Sequence, residues 1–329
     1  MSSSGPAQRL SVAVVGVGEM GRNHARCLAA MKGVDLVAVV DSDVDRCNEV
    51  AATFECRPVT SISDLPHVDA AIVAVPSASH AEVGCALMER GVHCLIEKPL
   101  ALDRTEAELL IDAADSANVE LQVGHIERFN PAVRQLKELL EGELVLVTNT
   151  RRMSAVSGRV TDIDVVMDLM VHDLDIMLFL MGDGIDSIEA RAVTGPSGPD
   201  HVTALLSFQD GRLASLTASR ITQNQIRQLE VTTKDRFFTV DYPNQELLIF
   251  RQGRIGVDGS DASEGRYALD VDTKRVFVRR TEPLVAELQH FLGVVRGTHD
   301  NEVDGRGALR ALDLVWAIQG RLQGSADGS

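Results

Sequence analysis

Two sets of residues in this chain have the types and the spacing for proton and hydride chemistry. One is Lys98, inside the tripeptide Glu97-Lys98-Pro99; the other is Asp168 and His172, four positions apart in the run from Val165 to Asp175. On a helix, residues i and i+4 share a face. A histidine placed there supplies a base near neutral pH, and a carboxylate beside it orients the ring and stabilises its charged form. A lysine ammonium stabilises an alkoxide as the proton leaves. Pro99 stiffens the backbone after Lys98, and a cis Lys98-Pro99 bond would aim the ammonium. Asp173 and Asp175 read as solvent-facing or capping groups. His24, His80 and His125 fall near predicted strand ends or the glycine-rich run, as cofactor-side or packing histidines. No H-E-x-x-H or comparable constellation occurs, so no metal is expected.

A glycine fingerprint gives this chemistry its electron acceptor. Gly16-Val17-Gly18-Glu19-Met20-Gly21 follows the apolar run Leu10–Val15. A helix is predicted from Asn23 to Met31, ended by Gly33, and a second apolar strand, Leu36–Val40, delivers Asp41. The first glycine allows a tight turn, the second lets backbone approach a pyrophosphate, and the third lets helix and strand pack closely. The helix N-terminus offers free amides and a positive dipole end. A carboxylate at the second strand's tip accepts the ribose hydroxyl and repels a 2′-phosphate, so Asp41 selects NAD over NADP. Ser42 follows it, and Arg46 lies one turn further on, within conceivable reach of a phosphate. The expected NAD contacts are Gly16, Gly18, Glu19, Met20, Gly21, Asp41, Ser42, Pro76, Ser77, His80, Glu97 and Lys98.

The elements that position these groups alternate. Helix is predicted at Val44–Phe54, Ala81–Arg90 and Arg104–Ala117. Strand is predicted at Val68–Val75, Val92–Ile96 and Val119–Val123. Continuous apolar strands between helices mean a doubly wound parallel sheet, with Lys98 at a strand's carboxyl end, where ligands bind. From about residue 143 strand-like alternation takes over: Leu144–Thr150, Ser187–Val193, Val202–Phe208, Arg212–Arg220, Arg227–Thr233, Phe237–Val240 and Leu247–Phe250. Asp210-Gly211 is a hairpin signal. These runs predict an antiparallel sheet with one long helix, Val165–Leu180, against it, and closing helices at 282–296 and 307–322. The polar stretch Val257–Tyr267 reads as a mobile loop. The class is therefore α/β, a Rossmann-type domain over residues 1–125 and an α+β domain over 126–329.

The whole chain sets bounds on this reading. Its 329 residues suit two domains, and its net charge of −16 leaves no basic surplus to neutralise nucleic-acid phosphates. An anionic substrate then needs a locally basic pocket. Aromatic residues make up 4%, too few for a broad base-stacking platform. Cys27, Cys47, Cys56, Cys85 and Cys94 are odd in number, with no CxxC, and read as reduced thiols of a cytoplasmic protein. The N-terminus has neither a basic nor an apolar signal region and reads as a short disordered tail. Val165–Met181 carries too many polar groups for a membrane span.

The fingerprint, Glu97-Lys98-Pro99, Arg128-Phe129-Asn130-Pro131 and Asp168-Leu-Met-Val-His172, in this order, resemble the glucose–fructose oxidoreductase and inositol dehydrogenase family from about Leu10 to Leu322. The resemblance implies that Lys98, Asp168 and His172 form the catalytic group. It also implies that the second domain is an open-faced antiparallel sheet used for substrate and for a homodimer or homotetramer. Within the family, Met20–Arg26, Gly124–Pro131 and Val165–Asp175 are similar to UDP-N-acetylglucosamine 3-dehydrogenases, which oxidise the sugar's 3-hydroxyl on the way to 3-amino sugars of lipid A. That implies an NAD-dependent sugar-nucleotide dehydrogenase, its nicotinamide near Pro76, His80 and Lys98. Arg128, Asn130, Arg152, Arg159 and His172 are the implied substrate contacts, the arginines toward the diphosphate or uracil. Met153–Arg159 departs from the proline-rich run of those relatives. The rival readings are an inositol or free-sugar dehydrogenase of the same family, an NAD-dependent glycosidase, and a non-catalytic NAD-sensing regulator, which would not need all three catalytic side chains.

Overall fold

The computed structural model describes residues 9–155, 163–195, 198–252 and 271–326. Arg159 and the stretch from Val257 to Tyr267 lie outside the described residues. Two compact units emerge: Met1–Phe129 with Glu282–Asp313, and Asn130–Thr281 with Leu314–Ser329.

In the first unit, β1 (Leu10–Val15), β2 (Val34–Val40), β3 (Arg57–Val59), β4 (Ala70–Val73), β5 (His93–Glu97) and β6 (Leu121–Gly124) form one parallel sheet. Their order is β3-β2-β1-β4-β5-β6. This is the doubly wound order, in which ligands bind beyond the strands' carboxyl ends. The strands are near-continuous runs of Val, Ala, Leu and Ile because both faces are buried. The helices are α1 (Glu19–Ala29), α2 (Val44–Phe54), α3 (His80–Met88) and α4 (Arg104–Ala117). Asp43 caps α2 by accepting from Arg46 N, and Asp103 caps α4 by accepting from Glu106 N. Helix α1 starts at Glu19, four residues before the expected Asn23, because the fingerprint's last glycine already lies inside its first turn.

The expected division at residue 125 leaves out one return of the chain. Across the second unit come α5 (Pro131–Leu139) and α6 (Val171–Met181). Then α7 (Pro283–Val295) goes back into the first unit. Its Leu284, Leu288, Phe291 and Leu292 join a core with Val12, Leu28, Ile72 and Leu95. The unit boundary falls within α8 (Gly305–Ala326).

The second unit holds an eight-stranded sheet. Its strands are β7 (Val147–Met153), β8 (Ile185–Gly195), β9 (Gly198–Phe208), β10 (Leu213–Ser219), β11 (Ile226–Thr232), β12 (Phe237–Asp241), β13 (Glu246–Gln252) and β14 (Val271–Arg275). The order is β14-β13-β12-β11-β7-β10-β9-β8. The sheet is mixed, not wholly antiparallel as expected: β7 and β10 run parallel, Val147 opposite Leu213 through Met153 opposite Ser219. A parallel neighbour requires a crossover, and α6, β8 and β9 supply the intervening chain. The β9–β10 hairpin turns at Asp210-Gly211, as expected, with Gly211 at φ +84. One face is buried through Thr148, Thr150, Leu216, Leu229 and Val231. The other carries Arg151, Gln228 and Glu230, joined by Arg151 Nη2 donating to Gln228 and pairing with Glu230.

Sequence reading missed β3 and β14. Pro58 interrupts the first, a three-residue edge strand where a missing amide is tolerated. The second, Val-Asp-Thr-Lys-Arg, is a charged edge without apolar alternation. Among the described residues no helix is long and apolar enough to cross a membrane. All five cysteines are unbridged, with Cys27, Cys47 and Cys94 buried.

Candidate active site

At the carboxyl ends of β1, β2, β4 and β5 the first unit opens a cleft of about 800 Å³. The three fingerprint glycines stand in three different environments there. Gly16 has φ +85, and a Cβ on it would lie 2.6 Å from Ala74 O. A Cβ on Gly21 would lie 1.8 Å from Gly16 O, so close helix–strand packing requires glycine. At Gly18 a Cβ would meet nothing within 4 Å, because this residue faces the cleft. Gly18 is also the N-cap of α1 and gives it no side-chain cap. The first-turn amides thus remain available to an anion. Met20, Ser42, Pro76, Ser77 and His80 line the same cleft, together with Glu97 and Lys98. Of the expected contacts, Glu19 and Gly21 do not line it: Glu19 projects from α1 into solvent, and Gly21 packs on Gly16. The cradle fits a dinucleotide pyrophosphate.

Asp41 is buried and densely bonded. Its Oδ2 accepts from Val17 N at 2.8 Å and Arg46 Nε at 3.2 Å; its Oδ1 accepts from Asp43 N at 2.9 Å and Arg46 Nη2 at 2.7 Å. Burial raises its carboxyl, but the bonds from Arg46, Val17 and Asp43 outweigh burial and hold it below the usual carboxylate range. The carboxylate expected to meet the ribose is therefore already engaged by the protein's own donors. Asp41 ties the fingerprint loop to β2, and Arg46, seen in sequence as a remote phosphate ligand, is its ion-pair partner.

At the end of β5, Glu97 and Lys98 are half-buried, and the Lys98–Pro99 peptide is cis. Glu97 Oε1 accepts from His24 Nε2 at 2.7 Å, and Oε2 accepts from Lys98 N at 3.3 Å. Burial pushes the Glu97 carboxyl up, while the His24 bond and the charge of Lys98 pull it down further, so the net shift is downward. Gly124, on the neighbouring strand, lies close here: a Cβ would crowd Glu97, 3.1 Å from both its Cα and its Oε2. His80, at the start of α3, is buried with Nδ1 2.9 Å from Pro99 O and Nε2 3.0 Å from Val75 O. Burial lowers its basicity, and a neutral ring donates to one of these two carbonyls. His24 thus holds Glu97, and His80 bridges the backbone of Val75 and Pro99 at the edge of the cleft it lines.

The residue that sequence reading missed is Glu287. It lies on α7, is fully buried, and neither of its carboxyl oxygens has a hydrogen-bond partner among the described residues. Burial first, and the nearby charge of Glu97 second, raise its carboxyl well above the usual range. A signal was present: Glu287 falls between Leu284 and Phe291 on the stripe that faces the core.

Asp168 and His172 belong to the second unit, and both are half-buried. The expected continuous helix from Val165 instead begins with a π-helical turn, Val166–Met170, in which Val171 N donates to Val166 O. Asp164 starts this turn, its Oδ1 accepting from Val166 N and Met167 N and its Oδ2 from Gln319 Nε2. Asp168 sits in the π turn and His172 in the first turn of α6, so the step between them is not a regular α-helical one. Such insertions recur at functional sites. Asp173 and Asp175 are buried, not solvent-facing. Asp173 takes a two-pronged ion pair from Arg152, Nε to Oδ2 at 3.1 Å and Nη2 to Oδ1 at 3.0 Å. The Arg152 guanidinium also lies over the Tyr242 ring, 5.3 Å from its centroid.

The implied substrate contacts therefore divide. Arg152 is buried against Asp173 rather than exposed to a diphosphate. Arg128, in the first unit, is buried and donates to Glu302 O. Asn130 caps α5 through Ala132 N and donates to Tyr242 O. Among the described residues no group of three or more His, Cys, Asp or Glu could hold a metal ion.

Comparison with known proteins covers both units. Residues 10–125 match the model of an oxidoreductase family with an NAD-binding Rossmann fold, and residues 135–236 match a GFO/IDH/MocA C-terminal domain. The chain is 34% identical over 310 residues to UDP-N-acetylglucosamine 3-dehydrogenase of Acidithiobacillus ferrooxidans, covering 93% of this chain and 95% of the relative. A solved structure of the enzyme of that name from the same organism superposes with a TM-score of 0.87 at 32% identity, over 96% of this chain and 98% of that one. Inositol 2-dehydrogenase of Rhodococcus jostii is 33% identical over 219 residues, 62% of this chain and 60% of the relative.

Proposed function

Because this chain belongs to the GFO/IDH/MocA family of NAD-binding oxidoreductases, as a dehydrogenase acting on CH–OH groups, we propose that it oxidises the 3-hydroxyl of a UDP-sugar, foremost UDP-N-acetylglucosamine. The 3-keto product would feed 3-amino-sugar synthesis for lipid A or polysaccharide. One observation carries this reading: similarity to a UDP-N-acetylglucosamine 3-dehydrogenase runs through both units, whereas the match to the Rhodococcus inositol dehydrogenase spans 62% of the chain. Substrate choice depends on the unit that lacks the fingerprint, so full-length similarity favours the sugar nucleotide.

The proposed roles follow from the side chains. Bound NAD supplies the hydride acceptor. The glycine cradle and the N-terminus of α1 hold its pyrophosphate, and Asp41 governs the ribose end. His172 takes the hydroxyl proton, Asp168 orients it, and Lys98 stabilises the negative charge that develops on oxygen. Arg159 is proposed to contact the diphosphate; Arg128 and Asn130 are proposed to shape the pocket through the bonds already described. A soluble cytoplasmic homodimer or homotetramer completes the reading, and sedimentation equilibrium measures it.

His172→Ala and Lys98→Ala should each lose turnover by about two to four powers of ten, the scale of an acid–base or charge-stabilising group. NAD affinity should change little in His172→Ala. The substrate is tested by incubating protein and NAD with UDP-N-acetylglucosamine, free N-acetylglucosamine and inositol, with an aminotransferase and glutamate to trap ketone. The sugar nucleotide should yield NADH, and the free sugar should do so poorly because it lacks the remote binding energy. NADH from inositol or a free hexose, with none from any UDP-sugar, would leave only the family-level dehydrogenase.

A further inference from the structure

We propose that Glu287 is a positioning residue for Lys98: a fully buried carboxyl without a hydrogen-bond partner among the described residues, on the helix that packs against α1, whose His24 holds Glu97 beside the lysine. The inference rests on reading Lys98 as a catalytic group. Both carboxyls belong to the first unit, one at the end of β5 and one on α7. Their hydrogen bonding is unequal. Glu97 accepts from His24 Nε2 and Lys98 N, whereas Glu287 is fully buried and accepts from nothing among the described residues. Two carboxylates in one poorly solvated region cannot both ionise at low cost, so one proton stays. It stays on the carboxyl with fewer donors. Burial and the Glu97 charge raise Glu287 in the same sense.

The charged and titratable groups on the elements packed about α7 are Glu19, Arg22, His24 and Arg26 on α1, Glu97 and Lys98 at the end of β5, Glu127 and Arg128 in the turn after β6, and His299 against Gly293. On α7 itself is His290, whose Nδ1 lies 2.9 Å from Gln122 Oε1 and whose Nε2 lies 4.0 Å from Glu302. Arg26 pairs with Glu282 at the helix start, and Arg128 donates to Glu302 O. None of these donates to Glu287, so burial first and the charge of Glu97 second keep its proton in place. When Glu287 loses its proton, a second anion competes with the reacting oxygen for the positive charge of Lys98, and turnover falls.

The test has two arms. Infrared spectroscopy of the wild-type protein at neutral pH should show a protonated-carboxyl C=O band that disappears on alkaline titration and is absent from Glu287→Gln. In the kinetic arm, Glu287→Gln cannot ionise, so the descending alkaline limb of its kcat profile should move up by about one pH unit or more. A missing band overturns the proposal whatever the enzyme does. A band with superimposable kcat profiles also overturns it, because Glu287 would then be neutral but without influence on the lysine. No turnover of any sugar or polyol by either protein overturns the reading of Lys98, and the inference falls with it.

Discussion

At the scale of single residues, the ion pair between Asp41 and Arg46 is proposed to set cofactor choice. Asp41 stays ionised at neutral pH because Arg46, Val17 N and Asp43 N all donate to it. A 2′-phosphate brought to this strand end meets that carboxylate and finds Arg46 already neutralised. NAD should therefore bind more tightly than NADP. Asp41→Ala should narrow the gap by about ten- to a hundredfold, since a freed arginine gains a charge-assisted bond to the phosphate. Adding Arg46→Ala should abolish most of that gain. Titration calorimetry with both dinucleotides on the wild type, the single variants and the double variant reads the coupling directly. A wild type that prefers NADP would reverse the assignment. Asp41 shows what sequence can and cannot tell at this scale. Its place at the end of β2 follows from spacing alone, but its partners come from a loop and a helix turn whose side-chain directions no spacing specifies.

At the scale of elements, two buried charges test how helices are fixed. Arg152 on β7 holds Asp173 on α6, with side chains only 5% and 2% exposed. Removing one member strands the other as an unpaired buried charge. Arg152→Ala should destabilise the second unit by about 3–5 kcal/mol, and replacing both by Met and Leu should restore most of the loss. Urea unfolding followed by circular dichroism measures both. A variant that keeps its stability and loses only substrate affinity would return Arg152 to the list of substrate ligands. Glu287 on α7 makes a prediction with a definite sign. Its folded-state carboxyl is raised, so the folded chain keeps a proton that the unfolded chain releases above the ordinary glutamate range. The stability this group contributes is complete below that range and is lost as pH rises toward the raised value. Glu287→Met should be more stable than wild type by about 1–3 kcal/mol near pH 8, and the difference should shrink toward pH 5. A difference independent of pH would mean that only packing had changed. The elements themselves were largely legible. Parallel strands such as Val12–Val15 and Ala70–Val73 are continuous apolar runs, and α4 was bounded by its Asp103 cap and by Asn118. Three features were not legible: the β7–β10 pairing joins segments sixty residues apart, the π turn leaves the apolar pattern unchanged, and β14 has no pattern to read.

For the whole molecule, the informative quantity is a net charge of −16 set against a proposed anionic substrate. Among the described residues, the candidate arginines are already engaged: Arg152 pairs with Asp173, Arg46 with Asp41 and Asp43, and Arg128 bonds to Glu302 O. Encounter with a UDP-sugar should therefore be slowed by long-range repulsion, even where short-range contacts hold the sugar once it arrives. Salt screens charges separated by more than about 10 Å at 0.1 M ionic strength and spares close contacts. With NAD saturating at each condition, kcat/KM for UDP-N-acetylglucosamine should rise roughly twofold or more between low salt and 0.15 M. The same series with inositol, which is uncharged, should be flat, and kcat for either substrate should not follow ionic strength. A fall in kcat/KM with salt for the sugar nucleotide would point the other way. It would mean that a cation outside the described pairs, Arg159 foremost, attracts the diphosphate strongly enough to reverse the field of the whole chain.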